Sequence, residues 1–325
     1  MTEFDYSDIE PVSLNTETPQ LCQILYDQEY KEVMGTLLAL MKLNEYSPRA
    51  KYITELGIEK LASHYTTWIY RYNILKNLPN TNYYDELDWC EQIALDNEKN
   101  FQIWNYRQLI INEIIAMEEN SAENADEKEV KRKVQFDPHR EFPIMAAMLD
   151  SDSKNHHVWS YRKWLVEKFN LFNDVKEHEF VNSCIELDLL NNSAWSHRFF
   201  LNFSDYRTDD SNEMHGEDLV EKEIEYVKNK ITECPQNASS WDYLNGIYDK
   251  FDRDICELEV FANGFADFEQ DNVKSTFAIE LLAKIFMKKN QFDKCITQYE
   301  MLRDEYDPMR KNFWNYEISR IKELV

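Results

Sequence analysis

Asn100-Phe-Gln-Ile-Trp104-Asn-Tyr-Arg107 is the stretch on which the fold turns, because the chain repeats it. Asn155-His-His-Val-Trp159-Ser-Tyr-Arg162 and Asn191-Asn-Ser-Ala-Trp195-Ser-His-Arg198 keep Asn, Trp and Arg at the same offsets. Tyr65-Thr-Thr-Trp68-Ile-Tyr-Arg71, Asn237-Ala-Ser-Ser-Trp241-Asp-Tyr and Asn312-Phe-Trp314-Asn-Tyr keep part of the pattern, which makes six related segments. A unit that recurs at this scale marks a stacked repeat protein.

The tryptophans set the period. Trp68 to Trp104 is 36 residues and Trp159 to Trp195 is again 36, the length of two short helices with their turns. Trp104 to Trp159 is 55, one period plus 19, and the surplus falls in the charged run 118–137, read as an inserted, mobile loop. Trp195 to Trp241 is 46, one period plus 10, with a second inserted loop at 207–218 supplying the excess. Trp241 to Trp314 is 73, about two periods, so a seventh unit is expected whose Trp has been replaced near Phe277, in Ser275-Thr-Phe-Ala-Ile-Glu-Leu-Leu-Ala.

Each unit reads as a helical hairpin, since Asn is a good N-cap and apolar residues follow it at helical spacing. After Asn100, the residues Ile103, Tyr106, Ile110, Ile111 and Ile114 share one helix face. The segment before it places Leu87, Cys90 and Ala94 on one side, with Asp85, Glu86, Asp88 and Glu91 elsewhere. Two short amphipathic helices do not bury both apolar faces alone, and stacking successive hairpins closes the core. The expected fold is all-α: a right-handed, crescent-shaped superhelical solenoid of about seven α-α hairpins over residues 21–325, preceded by a flexible acidic segment, 1–20.

Composition agrees. Glycine accounts for 5 of 325 residues, against an average usage of roughly 7%, which disfavours sheets, tight turns and phosphate-cradling loops. Neither Gly-x-Gly-x-x-Gly nor Gly-x-x-x-x-Gly-Lys occurs, so nothing points to a Rossmann domain or a P-loop. With 36 basic and 61 acidic residues the net charge is −25, which argues against nucleic acid or an anionic membrane as a direct partner and favours a basic protein surface. No run of 18 apolar residues exists and the first eight residues are acidic, not basic then apolar, so a soluble, cytoplasmic protein is expected.

Six cysteines (Cys22, Cys90, Cys184, Cys234, Cys256 and Cys295) are scattered without a Cys-x-x-Cys pair and read as reduced thiols. Of seven histidines only His156 and His157 cluster. Helical neighbours point about 100° apart and seldom share an ion, so no metal is assigned to this chain. No Ser, Cys or His arrangement amounts to a nucleophile with its base.

The tandem Asn-x-x-x-Trp-x-x-Arg hairpins resemble the α subunits of protein prenyltransferases, and the likeness runs from Tyr6 through Trp314. Tyr6-Ser-Asp-Ile-Glu-Pro11, Ile24-Leu-Tyr26, Tyr30, Met34 and Asn44-Glu-Tyr-Ser-Pro-Arg-Ala50 are similar to the α subunit shared by protein farnesyltransferase and geranylgeranyltransferase type I. The resemblance implies a chain active only with a β subunit, which carries the isoprenoid pocket and the zinc, with magnesium accompanying the diphosphate. The implied reaction transfers farnesyl or geranylgeranyl from its diphosphate to the cysteine of a C-terminal CaaX motif, on proteins such as small GTPases of the Ras and Rho type.

By the same resemblance Lys99 reaches the diphosphate as charge builds during carbon–oxygen cleavage, and a cation at a helix N-terminus suits an anion. Lys154 occupies the same place in the next repeat, so symmetry alone does not choose between them; Lys99 is the assignment. Gln102 matches the residue that hydrogen-bonds the peptide's terminal carboxylate, and Tyr65 one that lines the peptide pocket. Asn155 and His157 match residues near the mouth of the shared site, although Asn155 also fits a plain N-cap. Phe101 and His156 stand where tyrosine is usual, which leaves activity in place and bears on substrate affinity.

Arg71, Arg107, Arg162 and Arg198 lie one turn after their tryptophans on the same face. Recurrence favours a scaffold role, stacking on an aromatic and pairing with a carboxylate of the adjoining hairpin. Trp68, Trp104, Trp159, Trp195, Trp241 and Trp314 are read as packing between repeats. Two other readings compete: the α subunit of the Rab geranylgeranyltransferase, and a non-enzymatic helical-repeat adaptor, whose tetratricopeptide version has a 34-residue period that does not fit here. The choice of β subunit, the lipid preference and the CaaX specificity are not written in this chain.

Overall fold

The computed structural model describes residues 4–15, 18, 21–123, 136–204, 213–268 and 272–324. Fifteen α-helices account for most of them, and the all-α expectation holds apart from one two-residue antiparallel ladder that pairs Ala266 with Val273 and Asp267 with Asn272. The chain divides into two compact units, Met1–Leu165 and Val166–Val325.

The first unit contains α1 (Gln28–Leu43), α2 (Pro48–Lys60), α3 (Tyr65–Asn77), α4 (Tyr83–Asp96), α5 (Phe101–Glu123), α6 (Phe142–Ser151) and the greater part of α7 (His156–Phe169). α2 packs on α3 and α4 on α5, while α3 also meets α5, so consecutive hairpins stack. The second unit contains α8 (Val175–Leu187), α9 (Asn192–Phe203), α10 (Glu213–Glu233), α11 (Ala238–Lys250), α12 (Glu259–Asn263), α13 (Thr276–Lys288), α14 (Phe292–Met301) and α15 (Lys311–Lys322).

Asparagine caps the second helix of successive hairpins. The Oδ1 atoms of Asn100, Asn155, Asn191 and Asn237 accept the backbone N–H two residues on, at 2.9 to 3.1 Å. Each satisfies an amide that the first helical turn leaves without a partner. The amide end of the same side chain ties repeats together: Asn100 Nδ2 donates to the carbonyl of Ala62 at 2.6 Å, and Asn237 Nδ2 to that of Leu189 at 2.6 Å. Those two carbonyls also accept an indole, from Trp68 and Trp195, each six residues downstream. Trp159 and Trp241 bond the carbonyls of Ser153 and Pro235 at the same offset. Thus the tryptophan both fills the core and closes the turn that precedes its helix.

The arginines pair with carboxylates as expected, and the carboxylates form a pattern of their own. Arg71 grips Glu86, Arg107 grips Glu141 and Arg198 grips Glu223, each through two nitrogens. The same carboxylates accept a hydroxyl from Tyr106, Tyr161 and Tyr243, always 20 residues further along. His197 stands in the tyrosine's place, 20 residues after Glu177 and 2.7 Å from it. Arg71 lies over the Trp89 ring at 3.7 Å and Arg198 over Tyr226 at 3.8 Å, while Arg162 lies over Phe142 at 4.9 Å.

Several expectations need correcting. The segment 1–20 is not loose where it is described: Tyr6 donates to the Arg49 carbonyl at 2.8 Å, Arg49 takes both oxygens of Asp8, and Val12 N–H bonds the Gly35 carbonyl at 3.0 Å. Tyr6, Ile9 and Leu14 pack on the cluster formed by Val33, Met34, Leu37 and Leu40, which gives the first hairpin an apolar cover. The loop placed at 118–137 begins as helix, since α5 continues to Glu123, and 124–135 lie outside the described residues. The loop placed at 207–218 overlaps α10 from Glu213, with 207–212 likewise outside them.

The missing tryptophan of the seventh unit is also displaced. Ser275 is the N-cap of α13, and the offset from cap to Trp in the other repeats leads to Ile279, which is fully buried, rather than to the half-buried Phe277. At the last segment Asn312 is no cap: α15 starts at Lys311, and Trp314 donates to Asp307 Oδ2 at 3.0 Å in place of an upstream carbonyl.

Candidate functional site

The turn 97–100 joins α4 to α5 and closes on itself through Asn100 N–H to the Asn97 carbonyl at 2.9 Å. Asn100 then caps α5, so the residue just before it, Lys99, is projected outward from the start of that helix. Lys99 borders an open groove of about 830 Å³ whose other walls include Lys60, Leu61, Leu95, Glu98 and Phe101. Its side chain is 68% exposed and its ammonium is paired with Asp152. The aligned amides of the first turn add partial positive charge beside it, which makes this edge receptive to an anion.

Around Lys99 the structure gathers three of the other residues singled out from sequence. Phe101 is exposed, and its ring centre lies 6.1 Å from that of His157. His156 and His157 are adjacent rings with centres 3.8 Å apart. Burial foremost, then His156 and Lys99, hold the His157 imidazole below its ordinary pKa of 6.5, so it is neutral at pH 7. Gln102 is 7% exposed; its backbone N–H is engaged by the cap while its side-chain amide bonds no described residue.

Two of the sequence assignments fall elsewhere. Tyr65 begins α3, one repeat earlier, and is 66% exposed. Asn155 lies 2% exposed beneath the rim, its Oδ1 taking His157 N–H at 3.1 Å and its Nδ2 donating to the Glu98 carbonyl at 2.9 Å. Both ends of that amide are thus committed within the protein, which gives Asn155 the capping role. Lys154 is exposed but does not border the groove.

Asp152, which sequence reasoning did not select, is the residue that faces Lys99. No local signal identifies it, because the two stand 53 positions apart. The carboxylate series Glu86, Glu141, Glu177 and Glu223 was equally missed, yet it carried a signal in its constant interval to Tyr106, Tyr161, His197 and Tyr243.

A second groove, of about 310 Å³, lies between α9 and α11 against Trp195, Phe199, Asp242 and Tyr243. No Lys or Arg lines it, and burial raises the Asp242 carboxyl above its ordinary range, so it offers an anion nothing. Among the described residues no group of three or more His, Cys, Asp or Glu side chains is placed to hold a metal ion. Among the same residues no helix is long and apolar enough to cross a membrane.

The chain matches the protein prenyltransferase alpha subunit repeat family over residues 83–114, 138–169 and 174–204. It is 58% identical over 323 residues to the protein farnesyltransferase/geranylgeranyltransferase type-1 subunit alpha of Candida albicans, covering 99% of each chain. The subunit of the same description from Dictyostelium discoideum is 28% identical, over 99% of this chain and 94% of that one. Among solved structures, the Candida albicans protein geranylgeranyltransferase-I complexed with GGPP matches with a TM-score of 0.87 and 57% identity, over 99% of this chain and 100% of that chain.

Proposed function

We propose, from the premise that this chain belongs to the protein prenyltransferase α-subunit family, that Lys99 supplies the cation which meets the diphosphate of a prenyl donor. Within that family it is an α subunit of the farnesyltransferase/geranylgeranyltransferase type I kind. The observation that carries the proposal is the projection of Lys99 from the N-terminal end of α5 onto an open groove that Phe101 also borders, with the His157 ring beside Phe101 and that of His156 beside His157.

The working enzyme is a heterodimer with a β subunit in the cytoplasm, and its substrates are farnesyl or geranylgeranyl diphosphate and proteins ending in a CaaX motif. A cysteine thiolate attacks the first carbon of the prenyl group, the carbon–oxygen bond breaks, and the diphosphate leaves with the electron pair. Zinc bound by the β subunit would lower the pKa of the peptide's cysteine so that its thiolate is present at neutral pH, and magnesium would accompany the diphosphate. The residues of this chain act on the charge. The Lys99 ammonium stabilises the negative charge that collects on the leaving group. Gln102, whose side-chain amide bonds no described residue, donates to the terminal carboxylate of the peptide. Tyr65 lines the peptide's approach, and His156 and His157 border the mouth.

The experiment is co-expression with candidate β subunits, isolation of the heterodimer, and measurement of labelled farnesyl and geranylgeranyl transfer to CaaX peptides. Lys99→Ala should slow turnover by about 10²-fold with the heterodimer intact. Turnover indifferent to the substitution would remove Lys99 from the mechanism. Failure to recover any heterodimer would favour a helical-repeat adaptor.

A further inference from the structure

Lys99 is held before any substrate arrives. Its ammonium donates to Asp152 Oδ2, and the other oxygen of that carboxylate, Oδ1, accepts the backbone N–H of Lys154 at 3.1 Å. Asp152 is therefore oriented by its own turn. Two further bonds join the turn 97–100 to the turn 151–155: Ser151 Oγ donates to Glu98 Oε1 at 2.7 Å, and Asn155 Nδ2 to the Glu98 carbonyl at 2.9 Å. The donor and the acceptor of the ion pair thus sit on two turns that cannot drift apart. The pair itself is open to water, with side-chain exposures of 68% for Lys99 and 32% for Asp152. An ion pair in that setting is weak enough to be exchanged for another.

We propose that Asp152 is a positioning residue that withholds Lys99 from the bound, unreacted diphosphate and yields it to the leaving group as charge accumulates there. The inference rests on the reading of Lys99 given above. A diphosphate entering the groove meets an ammonium that already has an anionic partner, and it is repelled by that partner's charge. As the carbon–oxygen bond lengthens, negative charge concentrates on the departing oxygen and competition for the ammonium tips away from Asp152. No proton moves and no covalent bond to Asp152 forms. An interaction made more strongly in the transition state than in the ground state speeds the chemical step, whereas one made equally in both only tightens binding. Asp152 keeps Lys99 out of the ground-state complex, so the diphosphate is held less tightly, while breaking the pair is part of the climb to the transition state and lends the chemical step no speed.

Asp152→Asn tests this, because it keeps an oxygen for the Lys154 N–H and removes the charge. With the intact heterodimer, the dissociation constant of geranylgeranyl diphosphate and the single-turnover rate constant with a CaaX peptide are measured together. The dissociation constant should fall, roughly three- to five-fold, the scale of one exposed ion pair, while the rate constant should not fall, because no pair then has to be broken on the way to the transition state. In a Lys99→Ala background the same substitution should tighten binding less, since only the direct repulsion between Asp152 and the diphosphate then remains. Asp152→Asn that leaves both quantities at wild-type values while Lys99→Ala is slow would overturn the role of Asp152 and leave that of Lys99 standing. Unchanged or weaker diphosphate binding, a slower step, or a lower melting temperature of the heterodimer would make Asp152 a structural residue and overturn the proposal as well. Wild-type turnover in Lys99→Ala would instead sink the reading on which it depends.

Discussion

Arg71 holds the carboxylate of Glu86 through two hydrogen bonds, of 2.6 and 3.0 Å, with both side chains sealed from solvent. The geometry is the bidentate fork that makes charge-assisted bonds strong. Removing one partner leaves the other charged and buried, so Glu86→Ala should destabilise the protein by about 3–5 kcal/mol. Glu86→Gln, which still presents an acceptor to Arg71 and Tyr106, should cost less. Urea unfolding of the two variants decides it, and equal stability of wild type and Glu86→Ala would show that the pair is energetically idle.

The tryptophans make a parallel case from packing. Trp104 and Trp159 are 3% and 7% exposed, and Trp104 lies 4.8 Å, ring to ring, from Tyr161. Trp104→Ala or Trp159→Ala should each lower stability by about 3–5 kcal/mol, the cost of lost burial together with the cavity left behind. Thermal melting monitored by circular dichroism would show it, with any loss of partner binding following from the loss of fold.

Gly35 decides whether the N-terminal segment can lie down. A methyl group added there would sit 2.8 Å from the Val12 carbonyl oxygen and 3.0 Å from Pro11 Cβ, too close on both counts. Gly35→Ala should therefore lift the strand off α1 and cost about 1–3 kcal/mol, as overpacking does. Hydrogen exchange of the Val12 amide, which bonds the Gly35 carbonyl, reports the event directly; unchanged protection would refute it.

At the groove, pH should act through His157. Its pKa is depressed by burial first, then by His156 and Lys99, so the free protein holds it neutral at pH 7. A bound anion favours the charged ring and raises that pKa, which means binding takes up a proton as the pH falls towards the depressed pKa of the free protein. Affinity for geranylgeranyl diphosphate should thus rise as the pH is lowered below neutrality, and His157→Asn should flatten that rise. Parallel pH curves for the two proteins would exclude His157 from the response.

Much of the hairpin framework was legible in the chain because its signals are local. An Asn cap, a Trp four residues on and an Arg one turn later stand at fixed offsets within a single helix and its preceding turn, and the structure places the caps and tryptophans so. The loop boundaries were misjudged because charged sequence such as Glu118 or Glu213 and its neighbours is as compatible with an exposed helix as with a loop. The N-terminal segment was misread for the opposite reason: its acidic residues looked solvated, yet Asp8 is taken up by Arg49 and Tyr6 reaches the Arg49 carbonyl.

By itself the sequence determined that this protein is a stack of helical pairs and which side chains fill the space between them, since helix periodicity and capping depend on neighbours a few residues apart. Only the tertiary structure decided that Glu86 rather than Glu91 receives Arg71, that Lys99 rather than Lys154 borders the groove, and that Asp152, 53 residues away, holds it. The reason is geometric: contacts between repeats depend on how one hairpin is set down on the next. That placement is a property of packed surfaces, not of any interval along the chain.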